Sequence, residues 1–156
     1  MKSINKKNIE FLNNKNIKNI EKLLKIMSYL RDPENGCAWD IEQSFESIAP
    51  YTVEEAYEVV QAIQDRDFEG LKDELGDLLL QVVFLSQLAN EKNLFNFEDV
   101  VLSIKEKLIR RHPHIFDYKN KKILNTSDDV KNQWDKIKLK ENNNKKLGKS
   151  TLAVIC

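Results

Sequence analysis

Turn formers are scarce in this chain, with 4 Gly and 3 Pro in 156 residues. Barrels and sandwiches need many tight turns, so the scarcity argues for helices. Cysteine is limited to Cys37 and Cys156. Two thiols make no disulfide framework, and a reducing cytoplasm is the expected compartment. No apolar run reaches the roughly 18 residues of a membrane span. Met1 to Asn19 is rich in Lys and Asn and lacks the apolar centre of a secretory signal. No Gly-x-x-x-x-Gly-Lys phosphate loop occurs.

What remains is 41% hydrophobic and 32% charged, enough apolar material for one domain with a core. The net charge of zero hides a pattern. Residues 1–39 carry 8 basic and 4 acidic side chains, residues 40–100 carry 3 and 15, and residues 101–156 carry 14 and 6. An acidic middle between basic ends can balance itself internally. It can also hold cations at the middle and phosphates at the ends.

Ile20, Leu23, Leu24, Met27 and Leu30 recur at helical spacing and predict a first helix over Ile17 to Arg31. Asp32-Pro33-Glu34-Asn35-Gly36 stops it. Cys37 to Asp40 reads as a loop, Ile41 to Ala49 as a short helix, Pro50 as a bend or restart, and Thr52 to Gln64 as a helix. Asp67 to Ala89 reads as the longest helix and Phe97 to Arg111 as another, ended by Pro113. Tyr118 to Asn125 reads as a polar loop, and Ser127 as the cap of a last helix, Asp128 to Glu141. With no credible pair of strands, the expected fold is an all-α bundle of four to five helices over residues 17–141. A frayed polar stretch, 1–16, precedes it and a loose tail, 142–156, follows.

On a helix Glu54, Glu55 and Glu58 share one side, while Val53, Ala56, Val60 and Ile63 take the other. An ordinary surface helix has the same pattern. Glu74-x-x-Asp77 is sharper, because seven of the eight residues Leu78 to Leu85 are apolar. A helix apolar nearly all round is buried. Glu74, Asp77 and Gln81 then form a narrow polar strip at the edge of a buried surface. Carboxylates crowded there are costly unless protonated, paired with a cation or bridged by a metal. Between residues 40 and 100 the only basic side chains are Arg66, Lys72 and Lys92. Five carboxylates on two helices therefore suit a hard divalent ion such as Mg²⁺. Salt bridges to the basic segment beyond residue 100 are the alternative.

Glu54-Glu55-x-x-Glu58, followed after fifteen residues by Glu74-Leu75-Gly76-Asp77, resembles the signature of the MazG family of all-α nucleoside triphosphate pyrophosphohydrolases. Three further runs agree: Leu30-Arg31-Asp32-Pro33-Glu34-Asn35-Gly36-Cys37-Ala38-Trp39-Asp40, Ile48-Ala49-Pro50-Tyr51-Thr52, and Arg110-Arg111-His112-Pro113-His114. The resemblance covers Ile20 to Lys140 and is to the N-terminal half of bacterial members, which usually carry two such halves.

The resemblance implies that Glu55, Glu58, Glu74 and Asp77 hold Mg²⁺, with Mn²⁺ as a substitute. Glu54 stands beside them as a candidate general base. It implies that Trp39 encloses the nucleotide, although a core Trp beside a turn fits equally well. Lys107, Arg110 and Arg111 match positions that meet phosphates, and a basic helix end favoured by the helix dipole fits them too. Trp134 and Lys138 match a late Trp-x-x-x-Lys element, where a core Trp is the competing reading. One departure stands out: members often carry Lys two residues after the Trp of the Trp-Asp run, and here it is Ile41.

The implied activity is Mg²⁺-dependent conversion of a nucleoside triphosphate to the monophosphate and pyrophosphate, for house-cleaning or nucleotide-pool control. The implied assembly is a cytoplasmic homodimer with no membrane or nucleic-acid partner. The main rival is a degenerate half that dimerises or binds nucleotide without hydrolysis. A di-iron bundle lacks its Glu-x-x-His pairs. A Zn²⁺ site from Cys37, His112 and His114 has weak spacing. Nucleic-acid binding through residues 101–149 lacks any recognised motif.

Overall fold

The computed structural model describes residues 6–117, 124 and 126–152. Among these every regular element is a helix: α1 (Lys6–Asn13), α2 (Asn19–Leu30), α3 (Ala38–Glu42), α4 (Phe45–Asp65), α5 (Phe68–Glu91), α6 (Phe97–Arg111), α7 (Pro113–Phe116) and α8 (Ser127–Leu152). The all-α expectation holds. The number exceeds four to five because α1, α3 and α7 are short additions. No described helix is long and apolar enough to cross a membrane.

The chain forms two compact units, residues 1–100 and 101–156. In the first, α4 and α5 pair along their length and α2 lies against α5. Met27, Ile48, Val83, Phe84 and Leu88 form its core, with Leu23, Leu24, Phe45, Leu80, Leu85 and Phe97 packed around them. The α4–α5 turn is tight. Arg66 takes the left-handed conformation (φ 56°), and the Asp67 side chain caps α5 by accepting from the Gly70 amide at 2.9 Å. That turn sets the two acidic helices side by side.

Several local expectations change. Residues 6–13, read from composition as frayed, form α1. Ala38 to Asp40, read as loop, belong to α3. Pro50 neither bends nor restarts the chain: α4 runs through it unbroken. Pro50 is the sixth residue of α4, so its missing N–H costs only the bond to the Glu46 carbonyl. Ser44 offsets that loss with a reciprocal cap: its Oγ accepts from the Ser47 amide (3.3 Å), and its own amide donates to Ser47 Oγ (2.9 Å). The cap of α8 is Thr126, not Ser127, with Thr126 Oγ1 accepting from the Asp129 amide at 3.1 Å. Helix α8 also continues past Glu141 to Leu152. The loop predicted over 118–125 falls, except for Leu124, outside the described residues, as do residues 153–156.

Helix α5 is not enclosed on all sides. Gln81, Val83, Phe84, Ser86, Leu88 and Ala89 are buried, but Leu75, Leu79 and Val82 are exposed in the single chain. The apolar side of α4 is likewise open at Val53, Val60 and Ile63.

In the second unit, His112 packs edge-on against Trp134 at 5.0 Å between ring centroids. Gln133 Nε2 meets His114 Nδ1 at 3.2 Å. Those contacts join α7 and its flanking residue to α8.

Candidate active site

The α4–α5 pairing brings together the acidic residues of both helices. Glu55, Glu58 and Glu74 each offer a carboxylate oxygen, and the three oxygens lie within 4.8 Å of one another. Their spacing explains the convergence: Glu55 and Glu58 are three apart on α4, and Glu74 comes from α5 across the turn. Among the described residues, no Lys or Arg forms a salt bridge with Glu54, Glu55, Glu58, Glu74 or Asp77.

The crowding shows in the acidities. The Glu55 carboxyl is pushed above the ordinary range, first by burial and then by the charges of Asp77, Glu58 and Glu54. Glu74 is raised in the same way, by burial and then by the charge of Glu58 and contact with its carboxyl, with smaller contributions from Asp77 and Glu55. These mutual effects place Glu54 and Asp77 within electrostatic reach of the cluster. Beside it is a cleft of about 310 Å³ lined by Glu58, Glu74, Asp65 and Asp67, among others. That is close to the lower limit for small-molecule sites.

An all-oxygen, uncompensated donor set fits a hard divalent cation. A soft metal would call for Cys or His, and none belongs to this group. The two histidines lie in the second unit, engaged with Leu108 and Gln133. Cys37 is exposed in the first unit.

Trp39 lies on α3 and is 49% exposed, so it is not a core residue. Its ring meets Tyr51 edge-on at 6.1 Å and Phe84 at 6.4 Å. Arg31 steadies α3 from beneath, donating to the carbonyl oxygens of Asp40 and, at 3.4 Å, Gln43. The turn before α3 is built on Asp32, which accepts from the amides of Glu34 (3.0 Å) and Asn35 (2.8 Å). Those bonds hold its carboxyl below the usual range. Gly36 is required there, since a Cβ would collide with the backbone oxygens of Leu30 and Asp32.

Lys107, Arg110, Arg111, Trp134 and Lys138 all lie in the second unit. There Arg110 Nε and Arg111 Nη2 donate to the two oxygens of Glu141, at 2.6 and 2.7 Å. The pair of guanidinium groups holds the Glu141 carboxyl down to about 2. Lys138 stacks over the Trp134 ring at 5.6 Å and approaches Asp135 at 3.7 Å. Trp134 is partly buried, and its Nε1 finds no partner among the described residues. Glu141 escaped the sequence reading because nothing in the order of residues marks it as the common partner of two arginines about thirty positions earlier.

The MazG nucleotide pyrophosphohydrolase domain matches residues 43–116. A nucleoside triphosphate pyrophosphohydrolase of Escherichia coli K12 is 52% identical over 122 residues, covering 78% of this chain and 45% of that protein. The nucleoside triphosphate pyrophosphohydrolase/pyrophosphatase MazG of Thermotoga maritima is 46% identical over 126 residues, 81% of this chain and 46% of that protein. The chain thus spans about half the length of these curated relatives. A crystal structure of a mazG-related protein from Thermotoga maritima superposes with a TM-score of 0.61 at 24% identity, covering 76% of this chain and 97% of that one; it supports the fold. The acidic signature, the pairing of the helices that carry it and these matches agree: over residues 43–116 the chain carries a MazG nucleotide pyrophosphohydrolase domain.

Proposed function

We propose that this chain is a Mg²⁺-dependent nucleoside triphosphate pyrophosphohydrolase, converting NTP and water to NMP and pyrophosphate. The observation that carries the reading is the convergence of Glu55, Glu58 and Glu74 within 4.8 Å without a basic partner among the described residues. The names of the relatives from Escherichia coli and Thermotoga maritima support it.

In this reading Glu55, Glu58, Glu74 and Asp77 hold the divalent cations. Mg²⁺ supplies charge neutralisation on the triphosphate and polarises water. Glu54, exposed beside the cluster, takes the proton from the water that attacks the α-phosphorus. Trp39, exposed and braced by Tyr51, covers the nucleoside. Lys107, Arg110 and Arg111 are assigned to phosphate on the family resemblance alone. Arg110 and Arg111 already grip Glu141, so their use on phosphate exchanges one anion for another. Trp134 and Lys138 are assigned to substrate as a supporting pair.

The open apolar sides of α4 and α5 are proposed to meet a second copy of the chain, giving a homodimer. House-cleaning or nucleotide-pool control in the cytoplasm is the proposed setting. A second reading, binding without hydrolysis, is favoured by one observation: Ile41 stands where members often have Lys.

Turnover in ¹⁸O-labelled water separates the possibilities. Heavy oxygen in the monophosphate and none in pyrophosphate supports attack at the α-phosphorus. Label in pyrophosphate contradicts it, and nucleotide binding without product selects the second reading.

A further inference from the structure

Gln81 follows Asp77 by one turn of α5 and is only 7% exposed. Its Nε2 donates to Glu55 Oε1 at 3.4 Å, from α5 to α4. Its own Oε1 is buried and accepts from no described protein group. The amide orientation follows from its partner, because an ionised carboxylate only accepts and the NH₂ group must face it.

A buried amide with half of its capacity unmet is a poor choice for packing alone. Val83 and Phe84, two and three positions further along the helix, belong to the hydrophobic core, and a methionine of similar volume would fill the site without an orphaned oxygen. The amide is explained by what it does to Glu55. That carboxylate is repelled by Asp77, Glu58 and Glu54. Side-chain rotation away from the cluster would relieve the repulsion.

We propose that Gln81 is a positioning residue, whose buried amide anchors Glu55 in the carboxylate cluster and so prepares the site for a divalent cation. This rests on the metal-binding reading above. The unmet Oε1 is consistent with it, since Mg²⁺ retains waters and a water can donate to such an acceptor. Groups that orient a metal ligand in this way typically change metal affinity by about 10–100-fold when removed.

The test is a titration of the full chain with Mn²⁺, read by electron paramagnetic resonance without nucleotide. Gln81→Met keeps the volume and removes the hydrogen bond. It is expected to weaken Mn²⁺ binding by about tenfold or more. The thermal midpoint of the metal-free protein should not fall, a readout that a merely structural role would move downward. Gln81→Asn keeps an amide but falls one methylene short, and it should lose affinity in the same way; it serves if the Met variant fails to fold. Wild-type Mn²⁺ affinity in either folded variant overturns the inference while leaving the metal site intact. Absence of Mn²⁺ binding by the wild-type protein overturns the metal reading itself, and this inference with it.

Discussion

Arg31 grips Glu91 with a two-pronged ion pair across sixty positions: Nε meets Oε1 at 2.8 Å and Nη2 meets Oε2 at 2.6 Å. The Arg31 side chain is 7% exposed and that of Glu91 33%. The same guanidinium donates to the Asp40 carbonyl and lies 5.4 Å from the Phe84 ring centroid. One buried charge therefore ties the end of α2, the helix carrying Trp39 and the end of α5 together. Removing it leaves Glu91 with the Gln87 amide and without its cation, and takes a donor from the carbonyls of Asp40 and Gln43. Arg31→Met is expected to lower stability by about 2–4 kcal/mol, less than a fully buried pair because Glu91 keeps some water. Urea denaturation checks this, and a change below about 0.5 kcal/mol contradicts it.

The carboxylate cluster should oppose folding when no metal is present. The Glu55 and Glu74 carboxyls are weaker acids in the folded chain than in the unfolded one, so the folded state binds protons more readily than the unfolded state. For these groups, stability rises as pH falls through their raised values toward the ordinary Glu value near 4.5. Glu74→Gln is accordingly expected to raise the thermal midpoint of the metal-free protein at neutral pH while removing turnover. A lower midpoint contradicts the electrostatic account. Mg²⁺ should also stabilise the wild-type protein, by about 2.7 kcal/mol at a hundredfold excess over Kd.

Glu141 behaves oppositely. Its carboxyl lies near 2 in the folded chain against an ordinary value of 4.5. Its contribution is present above pH 4.5 and is lost as pH falls toward 2. In Glu141→Gln that acid-sensitive component should disappear from the second unit. Near-ultraviolet spectra of Trp134, titrated from pH 6 to 2 in both proteins, check the point. Identical titrations would show that Glu141 does not carry it.

The exposed apolar side chains of α4 and α5 give the dimer proposal a direct test. Val60→Glu combined with Leu79→Glu should convert a dimer to a monomer in sedimentation at micromolar concentration, because burying two unpaired charges is prohibitive. Gly76 adds a second probe, since a Cβ there meets nothing within 4 Å in the single chain. If that space is open, Gly76→Ala stabilises by about 0.5–1 kcal/mol. A wild-type monomer contradicts the proposed assembly.

The helical plan was legible because apolar spacing marked α2, α5 and α6 to within two residues at each end. Pro50 misled because its position within a helix, rather than its identity, decides what it breaks. The cap of α8 falls on Thr126 and not on Ser127, one position away, because the Thr126 hydroxyl is the one that reaches the Asp129 amide. The acidic residues were legible as a group because their helical spacing and the lack of local cations restrict the options. The convergence of Glu55, Glu58 and Glu74 within 4.8 Å depends on the α4–α5 turn, which only the fold supplies. The partners that hold the site residues, Gln81 to Glu55 and Glu141 to Arg110 and Arg111, are separated by 26 to 31 positions. No periodicity links them, so they emerge only from packing.

The proposed reaction takes place at one carboxylate cluster. Its most direct test is pyrophosphate release from a panel of NTPs and dNTPs by the purified chain, with Mg²⁺ and with EDTA, alongside Asp77→Asn. The expected result is Mg²⁺-dependent formation of pyrophosphate and monophosphate by the wild-type protein, abolished by EDTA and by a variant of unchanged helicity. A folded, Mg²⁺-supplied chain that releases no pyrophosphate, or an Asp77→Asn protein that works at the wild-type rate, would contradict it.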